Sequence, residues 1–229
     1  CLMYKHQTLY LRISAITFLF IIIFDKSYGK EVIINDDKYA TMVSHRNLGL
    51  GYFEEERYSE AVNEFKIIVE MNELEAMGYA NIGISYMQMS GELISAEEWM
   101  LKALQYSPNN PDISFLLAKI YELTNRDSLG INTLEKTVQI HPKHIRSLYQ
   151  LGINFSRGMK SDSKNKASTY FKKISVILPS NIPSTLKLVE LLLNEKNNSD
   201  ALFYLQTLQQ TLPRVSEDSM RLLKRILEL

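Results

Sequence analysis

The sequence has a single cysteine and little glycine or proline. Cys1 is the only thiol in 229 residues, and it precedes the apolar N-terminal run, whereas the lipid-modified cysteine of a lipoprotein would follow it. The rest of the chain can therefore form neither disulfides nor thiolate metal sites. Nine glycines and six prolines, with 45% hydrophobic residues, are typical of a helical protein with enough apolar material to bury a core.

The charge of the chain shows no bias of either sign. Its 26 basic and 26 acidic residues cancel. Proteins that bind nucleic acid generally carry a basic surface that meets the phosphate backbone. The balanced charge therefore predicts no nucleic-acid partner.

An uncharged apolar run lies near the N-terminus, and it is short for a membrane-spanning helix. It extends over residues 13–24 and follows the basic residues Lys5 and Arg12. As a helix, twelve residues cover about 18 Å, whereas the hydrocarbon core of a bilayer is about 30 Å thick. A basic segment followed by a short apolar run is typical of a signal peptide.

The residues after this run complete the pattern. Ser27 and Gly29 are small residues at the spacing that signal peptidase prefers. We predict a signal peptide over residues 1–29, cleaved after Gly29, and an exported protein that is periplasmic or secreted. The alternative is an uncleaved membrane anchor formed by residues 9–24, in which case the chain contacts a membrane only through that segment.

The sequence contains no convergent set of catalytic or metal-binding residues. His141 and His144 flank Pro142 and Lys143 in a predicted turn, without a cysteine or an acidic cluster nearby. Phosphate-binding glycine loops, nucleophile elbows and zinc-protease motifs do not occur. We predict a protein that is not an enzyme, with no cofactor, no metal and no catalytic residues.

An internal repeat organises the chain from about residue 42 onwards. A small residue recurs with spacings of 35, 34, 37 and 34, at Ala61, Ala96, Gly130, Ala167 and Ala201. Prolines recur with the same period and the same insertion, at Pro108, Pro142, Pro179 and Pro213. Because both series share one period, they belong to the same repeating unit.

Other positions of the unit recur at helical spacings. Four residues after the small residue comes a bulky one: Phe65, Met100, Leu134, Phe171 and Leu205. A second small residue lies upstream in the first four units: Gly49, Gly83, Ala118 and Gly152. Three residues after that one comes an aromatic residue: Tyr52, Tyr86, Tyr121 and Phe155. The pattern therefore predicts two helices in each unit.

This pattern resembles the tetratricopeptide-repeat family, in which Leu-Gly and Tyr mark the first helix of a 34-residue unit, Ala and Phe mark the second, and Pro follows. The resemblance implies an all-α, right-handed superhelical solenoid of antiparallel helix pairs. It divides the chain into five units, at residues 42–75, 76–110, 111–144, 145–181 and 182–215. Residues 30–41 would be a linker or an extra helix start, and residues 216–229 a capping helix or the start of a sixth unit.

Glycine inside a helix costs about 1 kcal/mol relative to alanine, so a recurring glycine requires a compensating close contact. We expect Gly49 to face Ala61, and the equivalent glycines of later units to face their own alanines. At the start of the third unit, Asn110 is suited to cap a helix whose first residue is Pro111.

The resemblance also implies where a partner binds. In such solenoids the first helices line a wall, and positions not needed for packing face the partner. We predict the following partner-binding residues: Arg46, Phe53, Met77, Met87, Phe115, Lys119, Arg146 and Tyr149. Phe115 and Tyr149 are expected to be exposed and central. Methionine, aromatic residues and arginine suit a peptide or helix as ligand.

The same pattern indicates two possible functions and argues against a third, a clamp for a C-terminal carboxylate. The function indicated is a non-enzymatic scaffold for a protein or peptide partner; the alternative is the N-terminal recognition arm of a longer exported or envelope protein. Some relatives clamp a C-terminal carboxylate, but Leu50, Asp112 and Leu116 stand where that clamp needs polar or basic side chains. The identity of the partner and the oligomeric state stay open.

Overall fold

The structure is a computed structural model and describes residues 36–211. The predicted signal peptide or anchor and residues 216–229 lie outside the described residues. Regular secondary structure in the described part of the chain is entirely α-helical. In residues 36–211, no helix is both long and apolar enough to cross a bilayer.

The described residues belong to two compact bodies, with a division between Arg126 and Asp127. The first body contains five helices: α1 (Asp36–Glu54), α2 (Tyr58–Met71), α3 (Ala76–Gln88), α4 (Leu93–Tyr106) and α5 (Pro111–Leu123). Each helix packs against the next one along the chain. Because the connecting segments are short, neighbouring helices run antiparallel.

The second body has the same construction. Its helices are α6 (Asp127–Ile140), α7 (Ile145–Ser156), α8 (Ser161–Ile177), α9 (Ile182–Asn194) and α10 (Asn198–Thr211). Within this body, too, consecutive helices pack against one another. In both bodies the helices α3, α5, α7 and α9 begin at the first residues of predicted units. The division into units itself stays a prediction.

Asparagine side chains cap the starts of several helices. The Asn110 side chain accepts hydrogen bonds from the backbone N–H groups of Asp112, at 3.0 Å, and of Ile113, at 3.1 Å, and Pro111 is the first helical residue. The predicted cap is therefore confirmed. Asn181 caps α9 by accepting from the N–H of Ser184 at 3.0 Å. These caps satisfy backbone donors that the helix itself leaves unpaired.

Three of the turns between helices place a residue other than glycine in the left-handed region. The φ angles of Glu56, Asn125 and Lys196 are 61°, 58° and 60°. In each turn, the N–H of the following residue donates to the carbonyl five positions earlier, as Arg57 does to Tyr52 at 2.8 Å. This is the Schellman ending of a helix, for which glycine is the usual residue.

The small and bulky positions of the repeat form the core. Ala61, Ala96 and Ala167 are fully buried, and so are the bulky residues Met100 and Phe171. Packing of this kind explains the period, because each helix pair needs one small and one large side chain at matching heights.

The contact partner of two helical glycines differs from the expectation, whereas a Cβ atom at Gly83 would lie 3.2 Å from the backbone oxygen of Ala96, as expected. A Cβ atom at Gly49 would lie 2.6 Å from the ring of Phe65, and one at Gly152 would lie 2.6 Å from the ring of Phe171. The nearest neighbour is therefore the bulky residue of the second helix rather than Ala61 or Ala167. The expectation that alanine is the close contact is wrong for these two glycines, because the ring reaches across the interface further than a methyl group does.

Candidate functional site

In the first body, five of the predicted partner-binding residues are partly exposed. The side chain of Arg46 is 32% exposed and lies 3.6 Å from Glu75. Met77 and Met87 cover the edge of the core. Phe115 is half-buried, and Lys119 donates to Glu122 at 2.5 Å. These residues lie on the first helices α1, α3 and α5, and we call them the first-helix surface.

Phe53 does not belong to this surface. It is 7% exposed, and its ring meets the ring of Tyr58 edge-on with centroids 5.2 Å apart. The sequence placed Phe53 among the partner-binding residues, and this prediction is wrong because the ring lies in the core. Tyr58 begins the second helix directly after the turn, so the two aromatic rings close the end of the helix pair.

In the second body, Arg146 and Tyr149 lie on α7, and both are half-buried. The ring of Tyr149 packs edge-on against the buried Phe171 with centroids 5.7 Å apart. The expectation of exposed rings at Phe115 and Tyr149 therefore needs correction, because both residues are half-buried and Tyr149 packs against the core.

A buried amide oxygen on a first helix has no partner among the described residues, and Thr185 Oγ1 on α9 is buried in the same way. Asn81 of α3 is 2% exposed, and its Oδ1 atom accepts no hydrogen bond from any described residue. A buried amide oxygen without a donor costs free energy, so such groups are uncommon. The lone asparagine in the apolar stretch 76–88 was the sequence signal for it.

Between the second helices of the first body lies a cleft that sequence reasoning missed. Its volume is about 410 Å³. We call it the aromatic cleft, and it is lined by Lys66, Val69, Glu70, Glu73, Tyr79, Trp99, Lys102, Gln105 and Tyr106. Its walls are α2 and α4, and Tyr79 comes from α3 between them.

Three aromatic rings stack in this cleft. The ring of Tyr79 lies 5.0 Å from that of Tyr106, at 18°, and 5.9 Å from that of Trp99, at 30°. Tyr79 is 9% exposed and Tyr106 is 40% exposed. Burial, together with a hydrogen bond to Tyr106, raises the pKa of Tyr79 to about 12. The Tyr79 hydroxyl is therefore protonated at neutral pH.

Two lysines lie against the indole ring of the cleft. The Nζ atom of Lys102 is 4.2 Å from the ring centroid of Trp99, and that of Lys66 is 6.0 Å away. Ammonium groups at such distances are attracted by the electron-rich face of the ring. The aromatic cleft therefore combines stacked rings with positive charge.

Comparisons with known proteins identify the fold. The chain resembles solved structures of PilF from Pseudomonas aeruginosa (TM-score 0.66, 19% identity, 84% of this chain and 87% of the other). It also resembles MamA (TM-score 0.59, 15% identity, 76% and 98%) and YrrB, described as a TPR protein with an unusual peptide-binding site (TM-score 0.54, 16% identity, 79% and 90%). The chain has the tetratricopeptide-repeat (TPR) fold.

Sequence comparison adds one curated relative. A stretch of 124 residues is 29% identical to the human protein O-mannosyl-transferase TMTC3, covering 54% of this chain. The matched stretch spans only 13% of the length of that relative. No protein-family model matches the chain.

In this TPR fold several titratable side chains pair with one another. His45 Nδ1 lies 2.6 Å from Glu64 Oε2, joining α1 to α2. Arg126 bridges to Glu97 through both terminal nitrogens, and its guanidinium lies 4.8 Å from the ring centroid of Tyr121. Among the described residues, no three His, Cys, Asp or Glu side chains are grouped as metal ligands.

Proposed function

We propose that this chain is a non-enzymatic scaffold that binds a peptide or helix of a partner protein on its first-helix surface. The observation that carries the proposal is the partial exposure of the five residues of this surface, whereas the sixth predicted residue of the first body, Phe53, is buried. A TPR fold uses its aromatic and small residues for packing. Side chains left half-exposed at the remaining positions are available to a ligand.

The chemistry of the surface suits a peptide. Met77 and Met87 are flexible and polarisable, and can adapt to apolar side chains of different shapes. Arg46 and Lys119 add positive charge at the edges of this apolar area, each beside a carboxylate. A peptide with apolar residues flanked by charges would match this pattern. The description of YrrB as peptide-binding supports the class of ligand.

Charge reversal tests the surface without opening a cavity. We expect Arg46→Glu combined with Lys119→Glu to lower the recovery of partners about tenfold or more, because like charges at an interface are strongly unfavourable. The measurement is affinity capture from an extract of the producing cells, quantified by mass spectrometry. Truncating Tyr149 is less informative, because that change also removes a contact with Phe171.

The matched control carries the same change in charge on second helices. Lys136 of α6 and Lys173 of α8 are both exposed. We expect Lys136→Glu with Lys173→Glu to recover the partners that the unchanged protein recovers. Equal recovery by both double variants would refute the first-helix surface as the binding site.

We also propose that the protein is exported, with residues 1–29 as a cleaved signal peptide. The support is the sequence pattern of a basic segment, a short apolar run and the small residues Ser27 and Gly29. Mass spectrometry of the protein recovered outside the cytoplasm should show Lys30 as the first residue. An intact N-terminus would favour the anchor formed by residues 9–24 instead.

The second candidate is a recognition arm of a longer protein. It is favoured by the curated relative whose match to 124 residues of this chain covers only 13% of its own length. Sequencing the coding region beyond Leu229 decides between the two. A stop codon there would eliminate the recognition-arm candidate.

A further inference from the structure

The aromatic cleft is separate from the first-helix surface. Its walls are the second helices α2 and α4, whereas the first-helix surface uses α1, α3 and α5. Only Tyr79 reaches the cleft from a first helix, and its ring forms the floor. A ligand in the cleft would therefore meet different side chains from a ligand on the first-helix surface.

The charges of the cleft are ordered along its length. On α2 and the turn that follows it, Lys66 precedes Glu70 and Glu73. The helices α2 and α4 run in the same direction, because each is antiparallel to α3 between them. Trp99 and Lys102 therefore lie at the Lys66 end, and Tyr106 lies at the Glu73 end.

The four charged side chains that line the cleft form no ion pairs with other described residues. Lys66 and Lys102 lie over the Trp99 ring, and neither forms an ion pair with another described residue. The same holds for Glu70 and Glu73, both of which are exposed. One end of the cleft is thus cationic, the other is anionic, and stacked aromatic rings lie between them.

We propose that the aromatic cleft binds an extended, proline-containing peptide that carries an acidic residue at one end and a basic residue at the other. The acidic residue would meet Lys66 and Lys102, and the basic residue would meet Glu70 and Glu73. A proline ring would lie on the exposed part of the Tyr106 ring, since aromatic-lined grooves accept polyproline helices at low entropic cost. The Trp99 ring is already covered by Lys102, which would meet the acidic residue.

The length of the cleft sets the spacing of the charges. Lys66 and Glu73 are seven residues apart, with α2 ending at Met71, so their backbone positions are on the order of 10 Å apart along the cleft. A polyproline helix rises about 3.1 Å per residue, so the two charges belong three residues apart. The sequence Asp-Pro-Pro-Lys has this spacing and contains no fluorophore.

Trp99 provides the measurement, because it is the only tryptophan in the chain. The probe is the capped peptide Gly-Asp-Pro-Pro-Lys-Gly, titrated into the full chain while tryptophan emission is recorded. We expect a saturable change with a dissociation constant of about 1 mM or lower. The peptides with two aspartates or two lysines at the charged positions should bind about tenfold more weakly, because one end of each meets like charge.

A variant with a uniformly acidic cleft tests the role of the charges. In Lys66→Glu with Lys102→Glu, both ends are negative, so we expect the peptide with two lysines to become the best ligand. This inversion of preference is diagnostic, since a misfolded variant would lose all binding. The control is Lys136→Glu with Lys173→Glu, which has the same net charge. Lys173 stands six residues after the buried Ala167, just as Lys102 stands six after Ala96.

Several outcomes would overturn the proposal. They are the absence of a saturable response at about 10 mM peptide, equal affinity for all three peptides, and an unchanged preference in the acidic variant. If emission is insensitive, the indole N–H resonance of Trp99 gives the same titration by NMR. Emission that changes on dilution without peptide would assign the cleft to a second copy of the chain. A peptide of residues 212–229 that competes more strongly would assign it to the chain's own end.

The two binding proposals can fail independently. Lys119→Glu alters the first-helix surface and should leave the peptide titration of the cleft unchanged. Conversely, the acidic variant of the cleft should still recover partners through the first-helix surface. Loss of both activities in either variant would indicate that the cleft and the first-helix surface are one shared site.

Discussion

Replacing Gly49 with alanine separates helix propensity from packing. Alanine is favoured over glycine in a helix interior by about 1 kcal/mol. At Gly49 the added Cβ would lie 2.6 Å from the Phe65 ring, closer than real Cβ atoms approach. The ring is 1% exposed and has little room to retreat. Overpacking of this kind costs about 1–3 kcal/mol.

Gly51 is the matched control. It lies two residues further along the same helix, and a Cβ there would meet nothing within 4 Å. We expect Gly51→Ala to increase the free energy of unfolding by about 1 kcal/mol. Because both changes gain the same propensity, the difference between the two variants isolates the packing cost at Gly49, about 1–3 kcal/mol.

The assay is urea unfolding followed by the emission of Trp99, which lies in the same body as both glycines. If Gly49→Ala stabilises the first body as much as Gly51→Ala does, the reasoning about the Phe65 contact is wrong. A second comparison adds Phe65→Leu, which removes the ring. In that background Gly49→Ala should lose most of its penalty, and an unchanged penalty would point to a backbone effect.

Two further predictions concern backbone strain and pH. Glu56→Gly and Lys196→Gly should each stabilise the protein by about 0.5–1 kcal/mol in thermal unfolding, since both residues hold a positive φ. Asn125→Gly should stabilise it less, because asparagine tolerates the left-handed region. Equal stabilisation by all three substitutions would contradict this reasoning. The stability that depends on neutral Tyr79 should be complete below pH about 10 and decline as the pH rises towards about 12. In urea unfolding, Tyr79→Phe should flatten the decline of the unfolding free energy with pH. Parallel pH dependences of that free energy in the two proteins would refute the role of Tyr79.

Much of the fold could be predicted from the sequence because repetition makes a weak signal strong. One small residue followed by a bulky residue four positions later says little, but five such pairs with a common period define helix pairs. The Asn110-Pro111 start was predictable for a different reason. Capping depends on a few adjacent residues, so the local sequence contains all the necessary information.

The contacts across helices were not predictable in the same way. The expectation at Gly49 identified the facing helix but not the facing residue, since the reach of the Phe65 ring depends on its rotamer and on the distance between the helix axes. Phe53 was misplaced for a similar reason. Its position in the repeat suited a surface residue, but Tyr58, beyond the turn, folds back over it.

The aromatic cleft escaped sequence reasoning because its members are spread over three helices. No short motif links Lys66 to Tyr79 and Trp99, and stacking depends on the angle between their rings. The half-burial of Tyr149 likewise depends on Phe171, which lies more than twenty residues away. Sequence spacing predicts which residues share a helix face, but not which faces meet.

Comparison of repeats within the chain indicates how one of them acquired a cleft. Repeat four has an aromatic residue and a lysine, Tyr170 and Lys173, at the positions of Trp99 and Lys102, and its lysine also lies over the ring, at 5.5 Å. The fourth residue of the first helix differs, being Tyr79 in repeat two and the fully buried Leu148 in repeat four. Leucine at that position can fill the core but cannot stack. The ring on which the proposed ligand site is built therefore lies at the fourth position of the unit, which differs in all five units: His45, Tyr79, Ser114, Leu148 and Thr185. Because the small and bulky core residues recur around this position, it can vary and acquire binding chemistry without loss of the fold.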